Sequence, residues 1–310
     1  MAKRKRRIPN AGKPPRHTAD NAPWPPHGRP DETVGAPREG THARTRGALW
    51  LYGVHAALAA LANPQRVIYR VVTSAQSSLD GDANGAAEIG ETNGAAARPK
   101  AEIRDRREID ALLPPHAVHQ GIAVQAEMLP VVSIEDLCHD LRREPATAGD
   151  TAGDEARRQH VVVVLDQATD PQNIGAVIRS AAAFGAAGVV IHDRHAPDVT
   201  GAMAKAASGG VEKIPLVRVT NLARALDYLK GAGFWCVGLD GHTDKMLTDG
   251  VLEGGDIALV LGAEGQGLRR LTLETCDLVA KIPMSDAIES LNLSNAAAIA
   301  LYEFARTRRT

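Results

Sequence analysis

One stretch of the sequence decides the fold, and it reads Val161-Val-Val-Val-Leu-Asp-Gln-Ala-Thr-Asp-Pro-Gln-Asn-Ile-Gly-Ala-Val-Ile-Arg179. Its short apolar run, bounded by polar residues, is typical of a strand buried on both faces. Asp170 and Pro171 then turn the chain, and Asn173 can cap the helical pattern that follows. A helix N-terminus favours an anionic group. The stretch therefore predicts a strand, a ligand-binding loop and a helix.

The same alternation continues to the end of the chain. Five further apolar runs begin at Gly188, Pro215, Phe234, Ile257 and Leu278. Helical patterns lie between or after them, at residues 175–184, 203–208, 222–230 and 292–307. Strands that alternate with helices favour an α/β fold, here a mainly parallel sheet with helices on both faces. Ligands of such sheets bind beyond the carboxyl ends of the strands.

The residues before this region predict a second, smaller α/β unit. Helical patterns at 54–61 and 105–113 alternate with strand patterns at 67–72 and 122–126. The predicted organisation is a disordered basic arm, a small domain with a flexible insertion, a linker and a large domain. Their bounds are 1–46 for the arm, 47–129 for the small domain, 74–98 for the insertion, 130–158 for the linker and 159–310 for the large domain.

Charge is distributed unevenly along the 310 residues, although the formal net charge is only −1. The first 46 residues carry +7, so the remainder carries −8. A basic arm on an acidic body is a common arrangement in proteins that bind a polyanion, but a solvated leader without a partner has the same composition. The 3% aromatic content disfavours a binder that stacks bases on exposed rings.

Several other classes of protein are disfavoured by composition. The sequence has no apolar run long enough to span a membrane, and its first residues lack the apolar segment of a secretory signal. Its 3 cysteines and 11 histidines show no metal-ligand spacing, so no metal is expected. We therefore expect a cytoplasmic protein with neither disulfides nor a metal centre.

Two later loops carry an unusual concentration of glycine and polar residues. The first reads Leu259-Val-Leu-Gly-Ala-Glu-Gly-Gln-Gly267, where glycines permit close backbone approach. Its spacing is not that of a dinucleotide fingerprint, so a nicotinamide-dependent oxidoreductase is a distant alternative. The second places Ser290, Asn292, Ser294 and Asn295 at the start of a helix. Capping needs one such residue, and the surplus indicates a ligand site.

Taken in order, the three loops resemble motifs 1, 2 and 3 of the SpoU (TrmH-like) branch of the SPOUT methyltransferases, over about residues 160–308. The resemblance implies a trefoil-knotted fold, a homodimer and S-adenosylmethionine as methyl donor. The segments Leu51-Tyr-Gly-Val-His55 and His119-Gln-Gly-Ile122 resemble the L30e-like substrate-binding domain of RlmB-type 23S rRNA guanosine 2′-O-methyltransferases. The basic arm and the insertion at 74–98 depart from that family pattern.

The resemblance also implies roles for particular residues. Catalysis or substrate positioning is assigned to Asn173, Arg179, Glu264, Ser290 and Asn292. Backbone contact with the methyl donor is assigned to Gly262, Ile282 and Leu291. A guanidinium normally stays protonated, so we expect Arg179 to stabilise the developing alkoxide or a phosphate, and the identity of the general base stays open.

The implied reaction is 2′-O-methylation of a guanosine ribose in 23S rRNA or in an assembling large ribosomal subunit. A tRNA ribose methyltransferase of the same branch is the nearest alternative. A non-enzymatic RNA-binding or ribosome assembly factor is the alternative from another class, and the complete set of polar motif residues disfavours it.

Overall fold

The protein is described by a computed structural model over residues 48–75, 98–143, 159–194, 196–248, 250–252, 255–263, 265–285 and 287–307. The predicted basic arm lies outside these ranges, and so do residues 76–97 of the predicted insertion. Glu264, one of the candidate catalytic residues, also lies outside them. Within the described part of the chain, no helix is long and apolar enough to cross a membrane.

The small unit is built on a four-stranded sheet in the order β1-β4-β2-β3. Strand β4 is antiparallel to both β1 and β2, whereas β3 pairs with β2 in parallel. The elements are β1 (Ala48–Tyr52), α1 (Val54–Ala62), β2 (Ile68–Thr73), β3 (Glu102–Ile103), α2 (Arg106–Asp110) and β4 (Ile122–Glu127). Asp105 caps α2 through a capping box with Glu108, which explains why that short helix begins there.

The large unit is built on a six-stranded parallel sheet in the order β10-β8-β9-β5-β6-β7. Its strands are β5 (Val161–Leu165), β6 (Gly188–His192), β7 (Leu216–Val219), β8 (Phe234–Leu239), β9 (Asp256–Leu261) and β10 (Leu278–Ala280). Its helices are α3 (Ile134–Arg143), α4 (Pro171–Ala183), α5 (Gly201–Ala207), α6 (Leu222–Gly231), α7 (Arg270–Thr275) and α8 (Leu293–Thr307), with a 3-10 turn at Gly210–Glu212. The predicted α/β fold with a parallel sheet is confirmed.

Two apolar cores lie on opposite faces of this sheet, which is why its central strand β5 is apolar at every position. In β5, Val161 and Val163 belong to one core, and Val162 and Val164 belong to the other. Helices α4 and α8 cover the first core, whereas α3 and α6 cover the second. The first core also includes buried residues of the small unit, such as Leu51. The two units therefore share apolar packing.

The structure differs from the sequence prediction in the segment 130–158, for which the composition predicts a linker. Residues Ile134–Arg143 form α3, and Ser133 Oγ accepts a hydrogen bond from the Asp136 backbone N–H at 3.0 Å at its start. Ile134, Leu137 and Cys138 are buried in the second core. The segment is polar in composition, but its few apolar residues fall on one helical stripe and pack against the sheet. Residues 144–158 lie outside the described ranges.

Candidate active site

The first candidate segment begins helix α4, but its cap is not the predicted one. Asp170 caps the helix, because its carboxylate accepts hydrogen bonds from the backbone N–H groups of Gln172 at 3.0 Å and Asn173 at 3.2 Å. The helix begins at Pro171, a favoured first position, and not near Gly175 as predicted. The Asn173 side chain is therefore not needed for capping and serves a different partner.

That partner is Asn292, at the start of the third candidate segment. Asn292 Nδ2 donates to Asn173 Oδ1 at 3.0 Å, across a sequence separation of 119 residues. The other side-chain atom, Asn292 Oδ1, accepts from the backbone N–H of Ser294 at 2.8 Å and from Ser294 Oγ at 2.6 Å. Asn292 therefore caps α8 and at the same time joins the first segment to the third. Two helix N-termini meet at this point.

Two of the remaining candidate catalytic residues lie on the same two segments as this pair. Arg179 is exposed on α4, six residues beyond Asn173, and it takes no part in the Asn173–Asn292 hydrogen bond. Ser290 is exposed two residues before Asn292. Within the described part of the chain, the structure thus brings Asn173 and Asn292 together by hydrogen bonding and leaves the side chains of Arg179 and Ser290 open to solvent. Glu264 is outside the described ranges.

The glycine-rich loop folds back on itself directly after β9. A Cβ at Gly262 would overlap the backbone of Gly267, so only glycine permits this close approach. The turn is closed by the Gly267 N–H, which donates to the Ala263 carbonyl at 3.0 Å. Gly265 and Gly267 have φ values of 75° and 63°, which disfavour other residues. The three glycines that the sequence singles out are each required by the shape of the loop.

Sequence reasoning missed Asp166, which holds both ends of this loop. Asp166 is fully buried after β5, and its backbone N–H donates to the Leu261 carbonyl at 2.8 Å, where the loop begins. Its carboxylate accepts from Arg269 Nε at 2.7 Å and from the Arg269 N–H at 3.1 Å, where the loop ends. An aspartate that closes an apolar strand is visible in the sequence. Its partner, 103 residues away, is not.

The three positions assigned to the methyl donor are all half-buried. Gly262 follows β9, Ile282 follows β10 and packs against the first core, and Leu291 directly precedes the cap of α8. The apolar side chains of Ile282 and Leu291 suit an adenosine, whose ring needs apolar contact and a few hydrogen bonds. These residues therefore fit the donor that the resemblance implies. Among the described residues, no group of three or more His, Cys, Asp or Glu could hold a metal ion.

The cysteines are not candidates for nucleophilic catalysis. Burial raises the pKa of Cys236 to about 12 and that of Cys276 to about 11. Burial also raises the pKa of Cys138. Because the thiolate is the reactive form, all three side chains are poor nucleophiles at neutral pH.

Comparison with known proteins identifies the class. A family model described as SpoU rRNA Methylase family matches residues 160–302, which include the three candidate segments. The 23S rRNA (guanosine-2′-O-)-methyltransferase RlmB of Coxiella burnetii is 36% identical over 259 residues, which are 83% of this chain and 95% of that protein. A protein of Mycolicibacterium vanbaalenii named uncharacterized tRNA/rRNA methyltransferase is 39% identical over 195 residues, which are 63% of this chain and 58% of that protein.

Among solved structures, the SpoU methyltransferase AviRb from Streptomyces viridochromogenes, in complex with AdoMet, is similar with a TM-score of 0.65 and 25% identity. That match covers 87% of this chain and 94% of AviRb. The fold and the matched segments thus define an RNA methyltransferase. The chain belongs to the SpoU rRNA methylase family.

Proposed function

We propose that this enzyme transfers a methyl group from S-adenosylmethionine to the ribose 2′-hydroxyl of a guanosine in 23S rRNA. The observation that carries this proposal is the extent of the similarity to the Coxiella burnetii enzyme. It covers 83% of the chain, more than the large unit alone provides. The substrate is therefore inferred from a relative similar in both units, and not from the methyltransferase unit by itself.

Alignment of the nucleophile is the main task of the protein. The methyl donor supplies an already activated methyl group, so the residues of the chain need to hold the 2′-hydroxyl in line with it and help to remove its proton. Asn173 and Asn292 are suited to alignment because their hydrogen bond fixes the amide of one against the other at 3.0 Å. Ser290, exposed two residues earlier, adds a hydroxyl that can contact the ribose.

Electrostatic stabilisation is the role proposed for Arg179. Its side chain is exposed, so it can reach the RNA, where a guanidinium stabilises a developing alkoxide or binds the adjacent phosphate. Glu264 is proposed to orient Arg179 or Asn173. Gly262, Ile282 and Leu291 are proposed to hold the adenosine of the donor through their backbone.

The domain assignment is part of the proposal. Residues 47–129 are the L30e-like RNA-binding domain and residues 159–310 the methyltransferase domain. Structured RNA exposes its 2′-hydroxyls and its shape more than a readable major groove, so a separate binding unit can select the substrate. Since these relatives are bacterial, a 23S rRNA substrate also implies a cytoplasmic location.

We include a homodimer and a trefoil knot in the proposal. Ile299 and Tyr302 are 42% and 57% exposed on α8, and the Tyr302 ring contacts Phe184 edge to face at 6.0 Å. An exposed apolar face next to α4 suits a second copy of the chain. Such a copy could bring its loops to Arg179. If each site uses Arg179 from one copy and Asn292 from the other, a mixture of the inactive variants Arg179→Ala and Asn292→Ala should recover activity. A protein that sediments as a monomer would contradict the dimer.

The decisive experiment uses purified protein, labelled S-adenosylmethionine and RNA. Incorporation of label into 23S rRNA, located at a ribose 2′-oxygen of guanosine by mapping, is the expected result. Label in tRNA instead would favour the tRNA methyltransferase alternative. RNA binding without any label would favour an assembly factor. Naked 23S rRNA and assembling subunits should be compared, because either can be the substrate.

A further inference from the structure

A buried ion pair joins the small unit to the large unit. Arg66 lies between α1 and β2, and Glu212 lies in the 3-10 turn after α5. Arg66 Nη2 contacts Glu212 Oε1 at 2.5 Å, and Arg66 Nε donates to Oε2 at 3.2 Å. Only 1% of the Arg66 side chain and 3% of the Glu212 side chain are exposed. The pair is therefore almost wholly removed from water.

The surrounding hydrogen bonds satisfy both partners. Asn63 Nδ2 donates to Glu212 Oε2 at 2.7 Å, and Arg66 Nη1 donates to the Glu127 carbonyl at 2.6 Å. Burying two charges costs desolvation free energy, which such a pair recovers only with good geometry and further hydrogen bonds. A buried pair of this kind is weak evidence for stability, but here it ties one side chain of the small unit to one of the large unit.

Two glycine contacts lie at the same junction. A Cβ at Gly201, the first residue of α5, would overlap the Trp50 carbonyl and the Tyr52 ring. A Cβ at Gly53 would lie 3.2 Å from Gln120 Oε1 and 3.3 Å from Lys205 Cγ. Gly53 and Gln120 belong to the two segments that resemble the L30e-like substrate-binding domain. The structure places Gly53 against Lys205 of α5 in the large unit, with the Gln120 side chain beside Gly53.

Helix α5 connects this junction to the candidate active site. A Cβ at Gly175 in α4 would overlap the Met203 carbonyl of α5, so the two helices cross in close contact. A Cβ at Gly210 would lie 3.1 Å from Ile178 of α4. Helix α4 carries Asn173 and Arg179. A continuous set of packed contacts therefore runs from the small unit through α5 to the helix that carries these two residues.

We propose that Arg66 and Glu212 are positioning residues that fix the small unit on α5, so that RNA held by the small unit meets the active site at a set distance. The inference rests on the proposed function. Its physical basis is that misplacing a substrate by about 1 Å can cost about a hundredfold in rate. A loosely tethered small unit would give affinity for RNA without this alignment.

The test compares the double variant Arg66→Met, Glu212→Gln with the unaltered chain. It removes both charges together and keeps an oxygen to accept from Asn63, so no unpaired charge is left buried. The single-turnover rate constant at saturating RNA should fall at least about tenfold, while the dissociation constants for RNA and for S-adenosylmethionine stay within about twofold. Glu274→Gln, which breaks the exposed Arg270–Glu274 pair on α7, is the matched control and should leave all three quantities unchanged.

Orientation is measured in the same proteins by single-molecule energy transfer. Cysteines introduced at exposed Val118 and Leu271 carry the two dyes, one in each unit. The unaltered chain should give one narrow distribution, and the double variant a broadened one. A single-turnover rate within about twofold of the unaltered chain overturns the proposal, and so does a slower rate without broadening.

Two further measurements cover the cases in which the double variant does not fold or the unaltered chain is inactive. If the double variant does not fold, Gly201→Ala disturbs the same junction at the start of α5 without changing any charge, and the same fall in rate with broadening is expected. If the unaltered chain methylates no RNA, the proposed function fails, while the energy-transfer distributions still report whether the ion pair fixes the small unit.

Discussion

Asn292 donates a hydrogen bond to Asn173 at 3.0 Å, and this contact joins the N-termini of α8 and α4 across 119 residues of sequence. Because Asn292 also caps α8, one side chain couples the position of a helix to the position of a candidate catalytic amide. The geometry of the site is thus linked to the start of the last helix.

The substitution Asn292→Asp tests this coupling. The carboxylate keeps the cap, but it can no longer donate, so the amide of Asn173 must turn its Nδ2 toward it. We expect a methylation rate lowered by about 10–100-fold at nearly unchanged stability, because one alignment contact is reversed. Asn292→Ala should lower the methylation rate too, and it should in addition lower the unfolding free energy by about 1 kcal/mol, because the helix cap is removed. Equal rates for Asn292→Asp and the unaltered chain would contradict the coupling.

Arg179→Ala should lower turnover by about 100-fold or more, because the transition state is no longer stabilised by this charge. The side chain is exposed, so the free energy of unfolding should change by no more than about 0.5 kcal/mol. Steady-state kinetics and chemical denaturation measure the two quantities. Arg179→Lys keeps the positive charge but removes the planar guanidinium group, so it distinguishes a simple charge effect from bidentate hydrogen bonding. Near-normal turnover of the alanine variant would exclude the proposed role.

Asp166→Asn should loosen the glycine-rich loop at its Arg269 end, since the contact to Leu261 is made by the Asp166 backbone and remains. Replacing a buried carboxylate removes charge-assisted hydrogen bonds worth about 1.5–3 kcal/mol, so we expect S-adenosylmethionine to bind about tenfold or more weakly by calorimetry. RNA affinity should not change, since the loop is assigned to the donor. If donor affinity were unchanged and only stability fell, Asp166 would have a purely structural role.

Gly262→Ala should strongly impair donor binding, because the added Cβ would overlap the Gly267 backbone. Overpacking of this kind typically costs about 1–3 kcal/mol. Gly231→Ala is the matched control, since a Cβ there has no neighbour within 4 Å, and it should be harmless. Calorimetric titration with S-adenosylmethionine and thermal unfolding of both variants check this expectation. A Gly262→Ala variant that bound normally would show that the loop can relax.

Deletion of residues 1–46 should weaken RNA binding and its salt dependence. Residues 1–46 carry a net charge of +7 and the rest of the chain a net charge of −8, so the arm holds a large share of the chain's positive charge. The slope of log affinity against log salt should fall by about 0.7–0.9 for each RNA phosphate that the arm no longer neutralises. The measurement is a titration of RNA binding at several salt concentrations. An unchanged slope would mean that the charge asymmetry has no role in RNA binding.

Most of the fold could be predicted from the sequence, because the strands of a parallel sheet are apolar on both faces and are therefore conspicuous. Val161–Leu165 is buried at every position, as its composition predicts. Helix α3 escapes prediction, since its apolar stripe is short and the surrounding composition is polar. The prediction of Asn173 as the cap of α4 is wrong, because Asp170, which is predicted from the sequence only to turn the chain, accepts hydrogen bonds from the first N–H groups of the helix.

The sequence by itself determined the residue types that the site requires, their order along the chain and the family to which the chain belongs. The tertiary structure alone decided which of these residues meet. Asn173 with Asn292, Asp166 with Arg269 and Arg66 with Glu212 are each more than 100 residues apart. The physical reason is that local patterns encode strands and helices through short-range periodicity, whereas contacts between loop and cap residues depend on how those elements pack.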